Sequence, residues 1–361
     1  IYDEVAPTPR DSLALITREP VGVVAAVVPW NYPLLMTSWK IAPALAAGNS
    51  VILKPSEKSP LTALRLAELA LEAGIPAGVF NVVTGFGHEA GAALAEHMDV
   101  DCVAFTGSTA VGKRIMAAAA NSNLKRAWME LGGKSPNIVF ADCPDMEGAA
   151  AAAAGNVFYN QGESCNAPTR LYVEASIKDA FMKKVAAHVA SFQPGDPLDP
   201  ATTMGAIVDD IQMNGVLKYI ESGKTEGAEL IAGGQQCRQE SGGYFIEPTI
   251  FVTNKNHTIA REEIFGPVLS AMTFETEAEA IALANDSIYG LQAGVWTADI
   301  SRAHRVARAL KAGTVHINQY NDDDITVPFG GYKQSGNGRD KSLHSMDKYC
   351  ELKTTWIKID Y

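Results

Sequence analysis

The first third of the sequence alternates short apolar runs with longer segments of helical periodicity. The apolar runs cover residues 21–29 (VGVVAAVVP), 51–54, 79–85 and 102–107, and the helical segments cover 41–48, 60–73, 88–96 and 110–120. Strands that are apolar on both faces and alternate with helices form a parallel sheet covered on both sides. We therefore predict a doubly wound α/β domain, in which ligands bind beyond the carboxyl ends of the strands.

Three polar stretches follow these predicted strands: PWN at 29–31, KPSE at 54–57 and TGSTAVG at 106–112. The last is close to the phosphate loop GxxxxGK[ST] of nucleotide triphosphatases, but Arg114 stands where that loop needs a hydroxyl for Mg²⁺. An ATPase is excluded on that ground. Free amides at this strand-to-helix turn could face a pyrophosphate, and a plain Gly-Ser helix cap is the equal alternative.

A second unit is predicted to begin after ELGGKSP (130–136). Its predicted elements are a strand at 137–140, an Ala-rich helix at 149–158, a strand at 170–174 and a helix near 178–190. Two stretches rich in Pro or Gly, 193–200 and 233–243, indicate surface connections rather than domain linkers. Residues 351–359 (ELKTTWIKI) alternate like a strand with one buried face, which predicts a sheet partner and an interface.

Charge and cysteine usage limit the classes of partner. The net charge of −11, without a basic patch, argues against sequence-independent binding to nucleic acid or anionic membrane. Five cysteines without a CxxC pair predict neither a disulfide framework nor a zinc site, and favour the reducing cytoplasm. No apolar run reaches the roughly 18–20 residues of a membrane helix, and the start lacks a signal-peptide pattern. Because the chain begins at Ile1 without Met, we expect an N-terminal portion to be missing.

One cysteine stands out by its surroundings. Cys165 lies in NQGESCNAPTR (160–170), among small polar residues rather than the aliphatic ones that bury an idle thiol. A thiol-based, nucleotide-dependent oxidation of a carbonyl needs a nucleophile, hydrogen-bond donors, a base and a phosphate-binding turn. The sequence offers candidates for all of them: Asn31, Lys54, Glu57, Gly107, Ser108, Glu130 and Cys165.

Seven stretches, in order, carry a resemblance to the NAD(P)-dependent aldehyde dehydrogenase superfamily. They are PWNYP (29–33), KPSE (54–57), FTGSTAVG (105–112), MELGGKSP (129–136), NQGESC (160–165), EEIFGPV (262–268) and PFGGYKQSG (328–336). The resemblance implies an α/β fold with a Rossmann-type cofactor domain, an α/β catalytic domain and a small oligomerisation β-element. The implied bounds are 1–20 for an oligomerisation segment, 21–132 for the NAD-binding domain, 133–335 for the catalytic domain, and 336–361 for a return segment with an oligomerisation strand. Members of the superfamily are usually longer at the N-terminus, which agrees with the absent Met.

The resemblance also implies catalytic roles. Cys165 is the expected nucleophile, and the Asn31 amide with the Cys165 backbone N–H would form the oxyanion hole. Glu130 is the expected general base that activates water, and relatives that pass the acyl group to coenzyme A usually lack it. A structural cysteine and a plain turn asparagine are the alternatives. A non-catalytic descendant of the fold and a coenzyme A-dependent enzyme are the other classes, and intact Cys165, Glu130 and Asn31 speak against them.

For the cofactor, the resemblance places Lys54 and Glu57 on the adenosine ribose, and Gly107 and Ser108 at the pyrophosphate. A carboxylate beside the ribose repels a 2′-phosphate, so NAD is preferred and NADP is the less favoured alternative. At the other end of the cofactor, Glu263 would bind the nicotinamide ribose and Phe265 would pack alongside. Trp30 is expected near the adenine end or beneath the site. The alternative for Glu262 and Glu263 is a solvated helix start.

For the substrate, the resemblance implies a mostly aromatic tunnel formed by Tyr32, Met36, Trp39, Tyr159, Ser164, Asn166 and Phe329. The unusual feature is the run Asp322, Asp323 and Asp324, whose mutual repulsion a cation would relieve. We interpret it as a site for the cationic tail of an ω-aminoaldehyde, as in the polyamine-catabolic branch that oxidises γ-aminobutyraldehyde-type substrates. A solvated acidic loop on a broad-specificity aliphatic aldehyde dehydrogenase is the alternative. The spacing does not match a calcium loop, so no metal is predicted.

Two departures from the superfamily's pattern concern residues around this machinery. Pro168 stands where members commonly have Gly, and Asp340 stands where many have Glu, with a shorter arm. By analogy with the superfamily, the protein is expected to be a homodimer or homotetramer.

Overall fold

The computed structural model describes residues 1–320 and 324–360. In chain order the strands are β1 (Glu4–Ala6), β2 (Ser12–Pro20), β3 (Val23–Val27), β4 (Ser50–Lys54), β5 (Phe80–Val82), β6 (Cys102–Thr106), β7 (Arg126–Glu130), β8 (Pro136–Val139), β9 (Arg170–Glu174), β10 (Glu229–Ala232), β11 (Gln236–Cys237), β12 (Phe245–Ile246), β13 (Thr249–Val252), β14 (Val268–Phe274), β15 (Gln292–Trp296), β16 (Thr314–Ile317) and β17 (Cys350–Lys358). The helices are α1 (Pro33–Ala46), α2 (Leu61–Glu72), α3 (Ala92–Glu96), α4 (Thr109–Asn121), α5 (Met146–Phe158), α6 (Lys178–Val189), α7 (Asp210–Thr225), α8 (Thr258–Arg261), α9 (Glu277–Asn285) and α10 (Ile300–Ala309).

The chain divides into two units. The first unit consists of Ile1–Leu131, Asp324–Gly330 and Gly336–Tyr361, and the second of Gly132–Asp323 and Gly331–Ser335. None of the described helices is long and apolar enough to span a membrane.

The first unit contains a five-stranded parallel sheet with strand order β5-β4-β3-β6-β7. Alternate residues of the central strand β3 enter different cores: Val24 and Ala26 pack in one hydrophobic cluster, and Ala25 and Val27 in another. This is why β3 is a continuous apolar run rather than an alternating one. The predicted doubly wound α/β domain is confirmed.

Element boundaries in this unit differ from the predictions in two places. Helix α1 begins at Pro33, eight positions before the predicted Ile41, because a proline at the first helical position needs no backbone partner for its nitrogen. The segment predicted as a helix at 88–96 opens with a wide helical turn over Gly87–Gly91 before α3.

The second unit contains a seven-stranded sheet with strand order β10-β13-β14-β9-β8-β15-β16. All pairs are parallel except β10 with β13. Helices α5 and α6 cover one part of it through buried residues that include Val157, Phe158 and Phe181. The stretch 233–243, predicted to be a plain surface connection, contains β11, which pairs antiparallel with β12 in a small ribbon.

The terminal strand β17 pairs antiparallel with β2, and with β1 they form a three-stranded sheet in the first unit. The prediction that this strand has one buried face is wrong for the described chain. Only Cys350 is buried, and the side chains from Glu351 to Lys358 are exposed on both faces. Its alternation therefore does not reflect a core within this chain.

Arg170 at the start of β9 is a buried cation whose hydrogen bonds end almost entirely on backbone carbonyls. Its Nε donates to Lys134 O at 2.7 Å, and its two terminal nitrogens donate to Leu283 O at 3.2 Å and Ala284 O at 2.8 Å. A further bond reaches the Tyr172 hydroxyl at 3.0 Å. Arg170 thus ties the end of α9 to the centre of the sheet.

Changing Arg170 to Met is expected to reduce the free energy of unfolding by about 3–5 kcal/mol, because the buried carbonyls lose their donors. The matched control is Arg305→Met, which removes an exposed arginine from its ion pair with Glu277 and leaves no buried group unsatisfied. Chemical denaturation of both variants measures the difference. Equal, small losses in the two variants would contradict the structural role of Arg170.

Candidate active site

The first unit has a cavity of about 640 Å³ at the carboxyl ends of β3, β4 and β6. This volume is typical of a pocket for a small molecule or cofactor. The five predicted cofactor residues of this unit all line it: Trp30, Lys54, Glu57, Gly107 and Ser108. Two titratable residues that the sequence did not single out, His88 and Glu96, also line it. Arg114, which the sequence used only to exclude a nucleotide triphosphatase loop, lines it as well.

Lys54 and Glu57 form one edge of this cavity. Lys54, buried at the end of β4, places its Nζ 3.2 Å from Glu57 Oε2, and the Nζ of Lys58 lies 5.4 Å from the centre of the Trp30 ring. Burial alone would raise the pKa of Glu57, but a backbone hydrogen bond and the Lys54 ammonium hold that pKa below its ordinary value. Glu57 is therefore an ionised acceptor at neutral pH, suited to hydroxyl donors.

The start of α4 forms another part of the cavity wall. The Ser108 side chain accepts a hydrogen bond from Val111 N at 3.3 Å, which fixes the first turn of a thirteen-residue helix. Nearby, the buried Thr106 hydroxyl has no partner among the described residues. A helix N-terminus and an unused hydroxyl on one cavity suit the phosphates of a dinucleotide. The residues present thus fit the cofactor that the sequence predicted.

Asn31 and Tyr32 occupy the turn between β3 and α1, and both are half-buried. Met36 and Trp39 follow on α1 and are buried in a hydrophobic cluster of the first unit. The Trp39 ring lies 5.2 Å from the ring of Phe329, so these two predicted tunnel residues pack against each other.

Glu130, the last residue of β7, is a buried carboxylate with 5% exposure. Neither of its side-chain oxygens has a hydrogen-bond partner among the described residues. A Cβ atom at Gly330 would lie 2.7 Å from Glu130 Oε1, so the glycine leaves room for this carboxylate. Burial, and then the negative charge of Asp340, raise the pKa of Glu130 well above its ordinary value.

In the second unit, the loop before Cys165 has an unusual backbone. Asn160, Gln161 and Gly162 all have positive φ, at 49°, 58° and 75°. Gln161 Oε1 accepts a hydrogen bond from Gly205 N at 3.0 Å, and Glu163 Oε1 accepts one from Val208 N at 3.1 Å. Such strained backbone persists only when its surroundings hold it, and it is concentrated at functional sites.

Cys165 itself is half-buried and is not part of a disulfide among the described residues. Its carbonyl oxygen lies against Gly133, where a Cβ atom would approach it to 2.2 Å. A hydrogen-bond chain begins beside it, running from Ser164 through Asn166 at 2.7 Å and on to Gln292 at 3.0 Å.

The rest of this support comes from β15, from β16 and from Tyr320 just after β16, none of which the sequence identified. Gln292 on β15 meets His316 on β16 at 2.6 Å, and the Tyr320 hydroxyl donates to Asn166 O at 2.8 Å. Gln292, His316 and Tyr320 hold the residues that flank the thiol. The only feature of the sequence that could have located these three residues is the pair of short apolar runs that form β15 and β16.

Glu263 follows α8, which ends at Arg261, so the alternative of a solvated helix start is wrong. Glu263 Oε1 accepts the backbone N–H of Gly133 at 2.9 Å. Burial raises the pKa of Glu263 to about 7, against the opposing effects of this hydrogen bond and of Lys134. Phe265 has a positive φ of 53°, and its carbonyl accepts a hydrogen bond from Gln212 at 2.7 Å.

The remaining predicted substrate residues are partly described. Tyr159 is 57% exposed, whereas Asp322 and Asp323 lie outside the described residues. Asp324 accepts hydrogen bonds from the Thr326 hydroxyl and N–H, at 2.6 Å and 2.8 Å, and these bonds lower its pKa. Among the residues that the structure describes, no group of three or more His, Cys, Asp or Glu is arranged to hold a metal ion.

Comparison with known proteins identifies the family of this chain. Residues 1–355 match the model of the aldehyde dehydrogenase family. The chain belongs to the aldehyde dehydrogenase family and is an oxidoreductase that acts on aldehydes.

Three relatives are informative. The NADP/NAD-dependent aldehyde dehydrogenase PuuC of Escherichia coli (strain K12) is 59% identical over 361 residues, which are 100% of this chain and 72% of PuuC. The structure of an indole-3-acetaldehyde dehydrogenase complexed with NAD⁺ is 63% identical, with a TM-score of 0.99 over 99% of this chain and 73% of that one. The γ-glutamyl-γ-aminobutyraldehyde dehydrogenase of Burkholderia cenocepacia J2315 is 61% identical, with a TM-score of 0.98 over 100% and 73%.

Proposed function

We propose that this protein is an NAD-dependent, non-acylating aldehyde dehydrogenase that oxidises an ω-aminoaldehyde to the carboxylic acid. The observation that carries the hydrolytic part is Glu130, a buried carboxylate whose oxygens have no described partner and whose pKa is raised. A carboxyl group whose pKa is raised by burial is a stronger base when ionised, and it is suited to take a proton from water. Transfer of the acyl group to coenzyme A does not require a base that activates water.

In the proposed reaction, each step is assigned to a named group of this chain. The Cys165 thiolate attacks the aldehyde carbon and holds it, first as a thiohemiacetal and then as a thioester. The Asn31 side-chain amide and the Cys165 N–H stabilise the oxygen that carries negative charge. Bound NAD supplies the hydride acceptor. Glu130 then removes a proton from the water that releases the acid.

For the cofactor, we propose that Lys54 and Glu57 bind the adenosine ribose, Ser108 and the start of α4 the pyrophosphate, and Glu263 the nicotinamide ribose. The ionised Glu57 supports NAD over NADP, because it repels a 2′-phosphate. Arg114 lines the same cavity with the opposite charge. NADP is therefore the less favoured second cofactor, in keeping with the dual name of the E. coli relative.

For the substrate, we propose an aldehyde whose cationic tail is bound by the Asp322–Asp324 run. The support is that run of carboxylates and the γ-glutamyl-γ-aminobutyraldehyde for which the B. cenocepacia relative is named. A second candidate is a broad-specificity enzyme for neutral aldehydes. It is favoured by the 63% identity to a protein named for indole-3-acetaldehyde, whose side chain carries no cation.

The substrate proposal is tested by NADH formation with γ-aminobutyraldehyde and with butyraldehyde. We expect the amino substrate to have a kcat/KM at least about tenfold higher, a difference of about 1.4 kcal/mol. Changing Asp322, Asp323 and Asp324 together to Asn is expected to erase that margin. The control changes Asp196 and Asp199, in another acidic loop, to Asn and keeps the margin. Equal turnover of both aldehydes by the wild type supports the neutral-aldehyde candidate instead.

The domain roles, the location and the assembly are also proposals. We assign NAD binding to 21–132, catalysis to 133–335, and oligomerisation to 1–20 and 336–361. The exposed Leu352, Trp356 and Ile357 on β17 support a homodimer or homotetramer, because a large apolar surface on a strand is covered in most proteins. Cytoplasmic location is supported by the five cysteines, none of which forms a disulfide among the described residues.

A further inference from the structure

A cluster of buried charges lies in the first unit around Asp340. Asp340 is fully buried and accepts hydrogen bonds from two lysines, Lys40 at Oδ2 and Lys348 at Oδ1. Lys40 lies on α1 and is 1% exposed, and Lys348 lies in the short helical segment Leu343–Tyr349 and is 4% exposed. Buried charges are stable only when they are paired, so each member depends on the others.

Glu130 lies next to this cluster: a Cβ atom at Gly330 would meet both Glu130 Oε1, at 2.7 Å, and Arg339 Cδ, at 2.9 Å, and the neighbouring Phe329 N–H donates to Asp340 O at 2.8 Å. The charged groups that act on it are Lys40 from α1, Asp340 and Arg339 from the segment after Gly338, and Lys348. With Glu130 ionised, the buried groups carry two negative charges (Glu130, Asp340) and two positive charges (Lys40, Lys348). With Lys348 removed, one lysine would face two carboxylates.

We propose that Lys348 is a positioning residue for the general base: by neutralising Asp340, it leaves the charge of Lys40 available to the ionised Glu130 carboxylate. The proposal rests on the function proposed above, in which Glu130 activates water. The backbone of Lys348 is held independently of its ammonium, because its carbonyl accepts a hydrogen bond from Trp128 Nε1 at 3.1 Å. The side chain can therefore be changed without releasing the segment.

The electrostatic effects on Glu130 determine the direction in which its pKa should change in each variant. Burial and Asp340 raise the pKa of Glu130, and Lys40, Lys348 and Arg339 lower it. Removing the Lys348 charge should raise that pKa, so the active base form appears only at higher pH. Removing the Asp340 charge should lower it. Removing both leaves Lys40 opposite Glu130 and should return the pKa towards that of the wild type.

The test compares Lys348→Met, Asp340→Asn and the double variant by the pH dependence of steady-state kcat. We expect the acidic limb to move up by about one pH unit or more in Lys348→Met and down in Asp340→Asn. The double variant should lie between them. Lys125→Met is the control: it removes another buried lysine of the first unit, bonded to Ala95 O, and should leave the limb in place.

A second readout does not depend on turnover. Infrared titration follows the protonated carboxyl band of Glu130, which is identified by its loss in Glu130→Gln, and the band should shift in the same directions. Shifts of the band without shifts of the kcat limb support the charge cluster and contradict the role of Glu130 in the proposed function. Unchanged titrations with uniformly lower kcat, or shifts in the same direction in both single variants, overturn the proposal. If Lys348→Met does not fold, the proposal is tested by comparing the acidic limb of kcat in Asp340→Asn with that in the double variant.

Discussion

Changing Cys165 to Ala is expected to lower kcat/KM for NADH formation by a factor on the order of 10⁴ or more, because no acyl intermediate can form without the thiolate. The backbone N–H of residue 165 remains, and so does the cofactor cavity of the first unit, so binding of NAD should be retained. Stopped-flow and steady-state absorbance at the NADH band measure the loss. Titration with NAD confirms that the variant is folded.

The other cysteines provide the controls for this prediction. Cys143 and Cys237 are half-buried thiols of the second unit, and burial raises the pKa of both. Cys102 is buried in the first unit, where desolvation raises its pKa to about 12. None of these thiols is suited to be a nucleophile at neutral pH. Cys143→Ala should keep wild-type turnover, and a comparable loss in that variant would refute the assignment of Cys165.

Changing Glu130 to Gln should separate the two halves of the reaction. We expect one rapid equivalent of NADH per active site, followed by a steady state about 10²–10⁴-fold slower than in the wild type, because the thioester then lacks its base. In the wild type, burial raises the pKa of Glu130, so turnover should increase with pH as the carboxyl ionises. Gln cannot ionise, and this limb should vanish in the variant.

Two comparisons sharpen the Glu130 prediction. Glu174→Gln, at a carboxylate that accepts the backbone N–H of Ala141 at 2.8 Å, should leave burst and steady state in their wild-type ratio. Adding coenzyme A should not speed the wild type. A Glu130→Gln variant with unimpaired steady-state turnover, or a wild type that requires coenzyme A, would show that the acyl group leaves by another route.

The parts of the fold that sequence predicts are those governed by local pattern. Strands β3, β4 and β6 are continuous apolar runs because helices cover both faces of their sheet, and that pattern is visible residue by residue. The order of strands in the second unit, by contrast, cannot be predicted from local pattern. Strand β9 lies between β8 and β14, and β14 follows it only after nearly a hundred positions, which no local pattern records.

In the candidate site too, some residues can be identified from the local sequence and others cannot. Cys165 was identifiable because a thiol among small polar residues is unusual, and Glu130 because it precedes two glycines in a family motif. Lys348 and Arg170 gave no such signal, because a buried charged residue has the same letter as an exposed one. Only the folded chain shows that Lys348 is paired to Asp340 and Arg170 to carbonyls. The acidic run is the reverse case: it is conspicuous in sequence, and its described member Asp324 is bonded to Thr326.

The pairing of β2 with β17 bears on the order of events during synthesis. Thr17 and Lys353, which face each other across this pair, are 336 positions apart in the chain. Among the described strands, β1 lies beside β2 before β17 is synthesised, and the edge of β2 that β17 occupies stays open until then. Long-range pairings of this kind form late and slowly, and open edges attract other chains meanwhile. The second unit, by contrast, is almost contiguous, and all of its residues precede β17, so its core can close before the first unit's three-stranded sheet does.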